Sequence, residues 1–165
     1  MTSFTNTKII NEFLINSNNS LLSDACLFWN NTKLILDVYP SKIPNAGNGI
    51  FTYKYIPKET LIGYYDGELK KDDGSCVGDY SFSLNRQWYV DARKYPRSYI
   101  AMINDAHGTE YDYNCEFRME NEDETGKKRK PQDRKITLWS IKNIKAGSEL
   151  YADYGKDYWK CPRGH

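Results

Sequence analysis

Three stretches of this chain combine residue types that could hold a ligand and act on it. The first is Asn45-Ala46-Gly47-Asn48-Gly49-Ile50-Phe51. Two glycines one residue apart let the backbone approach a ligand closely and adopt conformations barred to other residues. A plain turn is the other reading of the pair, and the third glycine and helix start of a dinucleotide fingerprint are missing. The second stretch is Tyr99-Ile100-Ala101-Met102-Ile103-Asn104-Asp105-Ala106-His107, with Asn114-Cys115-Glu116-Phe117 downstream. The third runs from Ala146-Gly147-Ser148-Glu149-Leu150-Tyr151-Ala152 into Asp153-Tyr154-Gly155, trailed by Asp157-Tyr158-Trp159. On its own this last piece also reads as a glycine turn, a short strand and a glycine stop with aromatics packed nearby. Aromatic residues make up 15% of the chain, with 14 Tyr against 6 Phe and 4 Trp, an excess that needs a reason. Tyr is apolar along its ring and polar at its tip, which suits half-wet walls and channels; it also favours strands. Cys26, Cys76, Cys115 and Cys161 are far apart and form no C-x-x-C pair, so neither a zinc site nor a redox pair is expected. Free thiols point to a reducing compartment, nuclear or cytoplasmic, and not to a secreted protein.

These residues must be positioned by short elements. A chain of 165 residues fits one domain with a real core. A net charge of +1 gives no bulk pull toward nucleic acid or anionic membrane, and no apolar run is long enough to span a bilayer. Residues 1–32 are rich in Asn, Ser and Thr and read as an N-terminal extension. Ile9, Ile10, Phe13 and Leu14 recur at helical spacing, as do Leu21, Leu22, Ala25 and Cys26, which predicts two short helices with Ser20 capping the second. From Lys33 the character changes. Leu34–Tyr39 reads as a strand stopped by Pro40. Further strands are expected at Ile50–Lys54, Thr60–Tyr65, Asp79–Leu84, Gln87–Val90, Asn114–Met119 and Ile136–Ile141, and a short helix or strand at Tyr99–Ile103. Gly, Pro, Asn or Asp bounds each of them. Glu120–Lys135 is almost wholly charged and should form a solvated hairpin loop. Its Lys127-Lys128-Arg129-Lys130-Pro131 reads either as a nuclear-import signal or as a tip kept soluble by charge. The pattern gives a mainly β fold with minor helix.

Taken together and in order, the stretches resemble the SET domain family. Gly47-Asn48-Gly49-Ile50-Phe51, then Tyr65-Asp66-Gly67-Glu68, is similar to the first SET motif. Asp79-Tyr80-Ser81-Phe82 resembles the aromatic strand lining the family's lysine channel, and Trp88-Tyr89-Val90-Asp91-Ala92 its V-D-A strand. Ile103-Asn104 with Asn114-Cys115-Glu116 resembles the I-N-H-S…P-N-C motif, and Gly147-Ser148-Glu149-Leu150 through Asp153-Tyr154-Gly155 the G-E-E-L-x-x-D-Y-G motif. The ending Asp-Tyr-Gly-x-Asp-Tyr-Trp is similar to minimal SET domains of large DNA viruses. The likeness assigns residues 33–159 to a SET domain and leaves 160–165 as a tail.

The resemblance implies small curved β-sheets and a C-terminal pseudoknot in which the Asn104 and Tyr154 stretches cross. It implies an S-adenosylmethionine-dependent protein-lysine methyltransferase acting on a histone tail, with S-adenosylhomocysteine as product. Tyr154 is then the catalytic residue. Gly47, Asn48, Gly49, Tyr65, Asn104, Asp105, Ala106 and His107 would hold the donor. Tyr80, Phe82, Ala152, Tyr158 and Trp159 would line the lysine channel. The amine must be neutral to attack, and lysine's ordinary pKa is about 10.4, so a desolvating aromatic channel fits the chemistry. Many members carry His-Ser where this chain has Asp105-Ala106. That departure keeps a second expectation open, a SET-fold interaction module without catalysis. Ala152, where many members carry Phe or Tyr, leaves volume for di- or trimethylation. The tail Cys161-Pro162-Arg163-Gly164-His165 lacks the family's three-cysteine zinc cluster, so no metal is expected. The likeness to the small viral forms allows a homodimer.

Overall fold

Strands in this chain are short because Gly, Pro, Asn and Asp interrupt every apolar run, and short strands can close only small sheets. A computed structural model describes residues 36–74, 78–94 and 98–160. The two N-terminal helices expected in residues 1–32, Leu34 and Ile35, Cys76, and the tail from Cys161 lie outside the described residues.

Eight strands form three antiparallel sheets. β1 (Leu36–Pro40) pairs with β2 (Asn48–Thr52). Pro40 sits at the strand's end, opposite Asn48, where its missing N–H costs the ladder least. β3 (Leu61–Tyr64), β7 (Cys115–Glu120) and β8 (Lys135–Ser140) make a second sheet with β8 in the middle. β4 (Glu68–Lys71), β5 (Ser81–Ser83) and β6 (Trp88–Asp91) make the third, with β6 central. The central strand β8 is covered on both faces, so Ile136, Thr137 and Leu138 are all buried. Thr137 is tolerated there because its hydroxyl donates to the Arg118 carbonyl at 3.0 Å. Ile50, Ile56, Ile62, Ile103, Leu138 and Leu150 complete a core that joins the sheets. Gly63 faces Ile100 so closely that a Cβ would stand 2.9 Å from its side chain, which lets the Tyr99–Met102 turn pack on β3.

The mainly β reading holds, and the described helical content is all 3-10: Tyr99–Met102, Pro131–Asp133 and Tyr158–Lys160. β4 was not expected. Its sequence Glu-Leu-Lys-Lys has little strand propensity, but pairing with β6 and the ion pair of Lys70 with the buried Asp91 at 2.7 Å hold it. The Glu120–Lys135 connection is the expected exposed hairpin, turned by Asp123, whose carboxylate accepts from the Thr125 and Lys127 amides.

The crossing of the Asn104 and Tyr154 stretches is present. Residues 148–150 bond to β2 on one side, Thr52 N–H to Ser148 at 3.0 Å and Leu150 N–H to Ile50 at 2.8 Å. The next residues run parallel to two other segments: Tyr151 bridges Asn104, and Ala152 bridges Cys115. Asn114 fastens the crossing, its amide donating to the Glu149 carbonyl and accepting from the Tyr151 N–H, both at 2.8 Å.

Candidate active site

Beside the crossing lies a cleft of about 620 Å³. Residues 43–46 and Asn48 form one wall, with Asn45 and the intervening Gly47 in the left-handed region at φ 63° and 70°. The segment from Ala101 to Asp105 also lines it, as do two aromatic groups. One group is Tyr65, Phe82 and Phe117, with ring centroids 5.3 to 5.9 Å apart. The other is Tyr154, Tyr158 and Trp159, in edge contacts at 4.6 and 5.1 Å, with His107 stacked on Trp159 at 5.1 Å. Tyr80 adds a partly exposed ring at the rim and holds φ at 61°, a conformation uncommon for a bulky residue.

Tyr154 is gripped at both ends by the Asn104 loop. Its hydroxyl donates to the Ile103 carbonyl, and its backbone N–H donates to Asp105 at 2.9 Å. Burial pushes the phenol's pKa well above its ordinary value of about 10, and Tyr158, Asp105, Tyr65 and Tyr80 add to the shift. Tyr154 is therefore a neutral phenol at physiological pH. With its proton committed to Ile103, the oxygen keeps acceptor capacity. Asn104 donates from Nδ2 to the Asn48 carbonyl at 3.0 Å and to Glu149 at 3.2 Å.

Of the residues expected to hold a donor, Asn48, Tyr65, Asn104, Asp105 and His107 line the cleft; Gly47, Gly49 and Ala106 do not. Gly49 has a different reason for being glycine: a Cβ would lie 2.1 Å from Glu149 Oε1. Tyr65 stands with Phe82 and Phe117, on the wall expected for lysine. Of the expected channel residues, Tyr80, Phe82, Tyr158 and Trp159 line the cleft. Ala152 is fully buried in the core and does not line it, so the volume its small side chain leaves is taken up by core packing. Phe117, Met102, Asp79 and Thr109 also line the cleft and were given no site role from sequence. Phe117 had a signal: it alternates with Cys115 and Met119 along β7.

The cleft has a consistent charge character. Among the described residues Asp79 and Asp105 line it, and no Lys or Arg does. Acidic and aromatic walls suit cationic ligands, including a sulfonium and an alkylammonium. Among the described residues no cluster of His, Cys, Asp or Glu could hold a metal.

A model of the SET domain family matches residues 47–155. Solved structures share the fold. KRYPTONITE, crystallised in complex with mCHG DNA and SAH, is 20% identical with a TM-score of 0.60, over 74% of this chain and 24% of that one. The same protein with mCHH DNA, an H3(1-15) peptide and SAH gives 20% and 0.59, over 74% and 24%. Polycomb repressive complex 2 from Chaetomium thermophilum is 25% identical with a TM-score of 0.58, over 74% and 15%. This chain thus spans a quarter or less of the length of these proteins. No curated protein matches it.

Proposed function

The chain belongs to the SET domain family, and from that premise we propose that it is an S-adenosylmethionine-dependent protein-lysine N-methyltransferase acting at the Tyr154 cleft. One observation carries the reading: a cleft with aromatic walls, two aspartates and, among the described residues, no Lys or Arg converges on a half-buried, protonated tyrosine. S-adenosylmethionine, when bound, supplies a methyl group on a sulfonium and leaves as S-adenosylhomocysteine. The residues present fit such a donor. Asn48, Asn104, His107 and the 43–46 backbone offer polar contacts beside the apolar Met102, and nothing in the lining repels a cation.

The chain's own contributions follow from the geometry. Tyr80 and Tyr158 line the cleft with rings whose faces can take a lysine ammonium by cation–π attraction. Enclosure by Tyr65, Phe82, Phe117 and Tyr158 disfavours the charged form, so the amine gives its proton to solvent on entering. The Tyr154 oxygen accepts an amine N–H and leaves the nitrogen lone pair aimed along the cleft. That is orientation, worth orders of magnitude in rate when reacting atoms are aligned. Tyr154 is not the base, since its pKa lies on the wrong side for that role.

The substrate we propose is a histone tail. Support comes from the acidic lining, which matches a lysine-rich segment, and from the H3 peptide in the KRYPTONITE complex. A nuclear location follows from that substrate, with the exposed Lys127, Lys128 and Lys130 as the import segment. The Asp105-Ala106 departure, which favoured a non-catalytic module, does not dismantle the site, because Asp105 bonds Tyr154 directly. The test is transfer of labelled methyl from S-adenosylmethionine to core histones and then to a lysate. Label on lysine supports the enzyme. Donor binding without transfer to any protein favours the interaction module.

A further inference from the structure

We infer that Asp105 is a positioning residue whose carboxylate fastens Tyr154 and the C-terminal aromatic wall to the Asn104 loop. The inference rests on the methyltransferase reading for its kinetic consequence, and on geometry alone for the clamp itself. Asp105 is only 7% exposed, yet all its bonding capacity is used. Oδ1 accepts from the His107 N–H at 2.7 Å and from the Tyr113 hydroxyl at 2.8 Å. Oδ2 accepts from the Tyr154 N–H at 2.9 Å and from the Trp159 indole at 3.0 Å. Four donors converge on its two oxygens and fill the acceptor positions of a group that offers only acceptors. The Tyr113 phenol is accordingly pushed up to about 12, by burial first and Asp105 second.

The bond to Trp159 matters most, because that residue is 49% exposed and lies in a wall otherwise held by ring contacts to His107 and Tyr158 and by the Tyr158 hydroxyl at 3.3 Å from Asp79. One side chain thus joins the reacting tyrosine to the wall that excludes water. Asparagine cannot replace it. Either orientation of its amide points an NH₂ at a backbone or indole N–H, so at least one donor meets a donor.

The test uses the full chain with ¹⁵N-labelled tryptophan. Its four Trp give four indole signals, and Trp159→Phe identifies one by its disappearance. In wild type the Trp159 indole N–H should exchange with solvent at least about tenfold slower than in a free peptide, despite the half-exposed ring. Asp105→Asn should shift that signal, remove the protection and lower kcat/KM by about 100-fold, the scale of a 1 Å misplacement. Trp159→Phe, which keeps a smaller aromatic ring and leaves the Tyr154 bond to Asp105 in place, should lose less. A Trp159 indole exchanging at the free rate in wild type overturns the clamp, as does a folded Asp105→Asn with unchanged signal and kcat/KM. If Asp105→Asn does not fold, wild-type exchange and the Trp159→Phe and Tyr113→Phe kinetics still decide. A wild type with the protected indole but no transfer to any protein would defeat the enzyme reading and the proposed catalytic role while leaving the clamp standing.

Discussion

Replacing Gly49 by alanine probes why the first motif needs its second glycine. The new methyl would stand 2.1 Å from Glu149 Oε1, 2.8 Å from its Cδ and 3.0 Å from Asn104 Nδ2. Relief needs a shift of the carboxylate by about 1 Å, enough to break bonds of normal length. That carboxylate is only 2% exposed and accepts from Ser41 Oγ at 2.7 Å, the Lys42 N–H at 2.8 Å, the Tyr151 hydroxyl at 2.8 Å and Asn104 Nδ2 at 3.2 Å. Bonds to a charged group contribute about 1.5–3 kcal/mol each. Losing two of them, with partial relaxation, predicts a destabilisation of about 3–5 kcal/mol. Gly47→Ala is the control. Nothing lies within 4 Å of its added Cβ, so only the positive φ of 70° is strained, at about 1–2 kcal/mol. Urea unfolding of both variants measures the difference. Equal midpoints, or a Gly49→Ala cost under about 1 kcal/mol, would refute the packing role and return Gly49 to ligand contact.

Alkaline stability should fall early. Tyr53, Tyr113, Tyr151 and Tyr154 all have pKa values raised by burial, so above about pH 10 the unfolded chain binds fewer protons than the native one. Stability present below pH 10 is lost as pH rises, and the phenolate absorbance of these four tyrosines should appear together with unfolding, not before it. On the acid side the Arg93 and Lys70 bonds hold the Asp91 carboxyl well below the usual carboxylate range. Its contribution is present above about pH 4 and lost on further acidification, so Asp91→Asn should cost about 1–3 kcal/mol at pH 7 and progressively less at pH 3 and below, measured by thermal melts. Cys115 is buried with its thiol pKa raised by desolvation, so it should resist alkylation in the native state and react only on unfolding, as peptide mapping would show.

What could be read from sequence was what local rules govern. Glycine and proline punctuation located seven of the eight strands to within a few residues, and β4 escaped because its pairing partner, not its composition, makes it a strand. Tyr154, Asn104, Tyr80, Phe82, Tyr158 and Trp159 could be placed because motif order carried them. The reasons behind individual residues were not legible. Gly49 is fixed by Glu149, and Asp105 by Trp159, across separations that no window of sequence contains. Ala152 likewise takes its burial from the crossing, where it bridges Cys115, a partner distant in sequence.

The most direct test of the central claim compares wild type with Tyr154→Phe. Each would be incubated with excess S-adenosylmethionine and a lysine-bearing histone peptide, and the peptide's mass followed with time. The phenyl ring keeps the packing against Tyr158 and removes only the oxygen. The account predicts a methyl increment on the lysine with wild type and a loss of at least about 100-fold in rate with Tyr154→Phe, a variant still folded but destabilised by about 1–3 kcal/mol through the lost bond to the Ile103 carbonyl. Equal rates for the two proteins would contradict the role given to the Tyr154 hydroxyl.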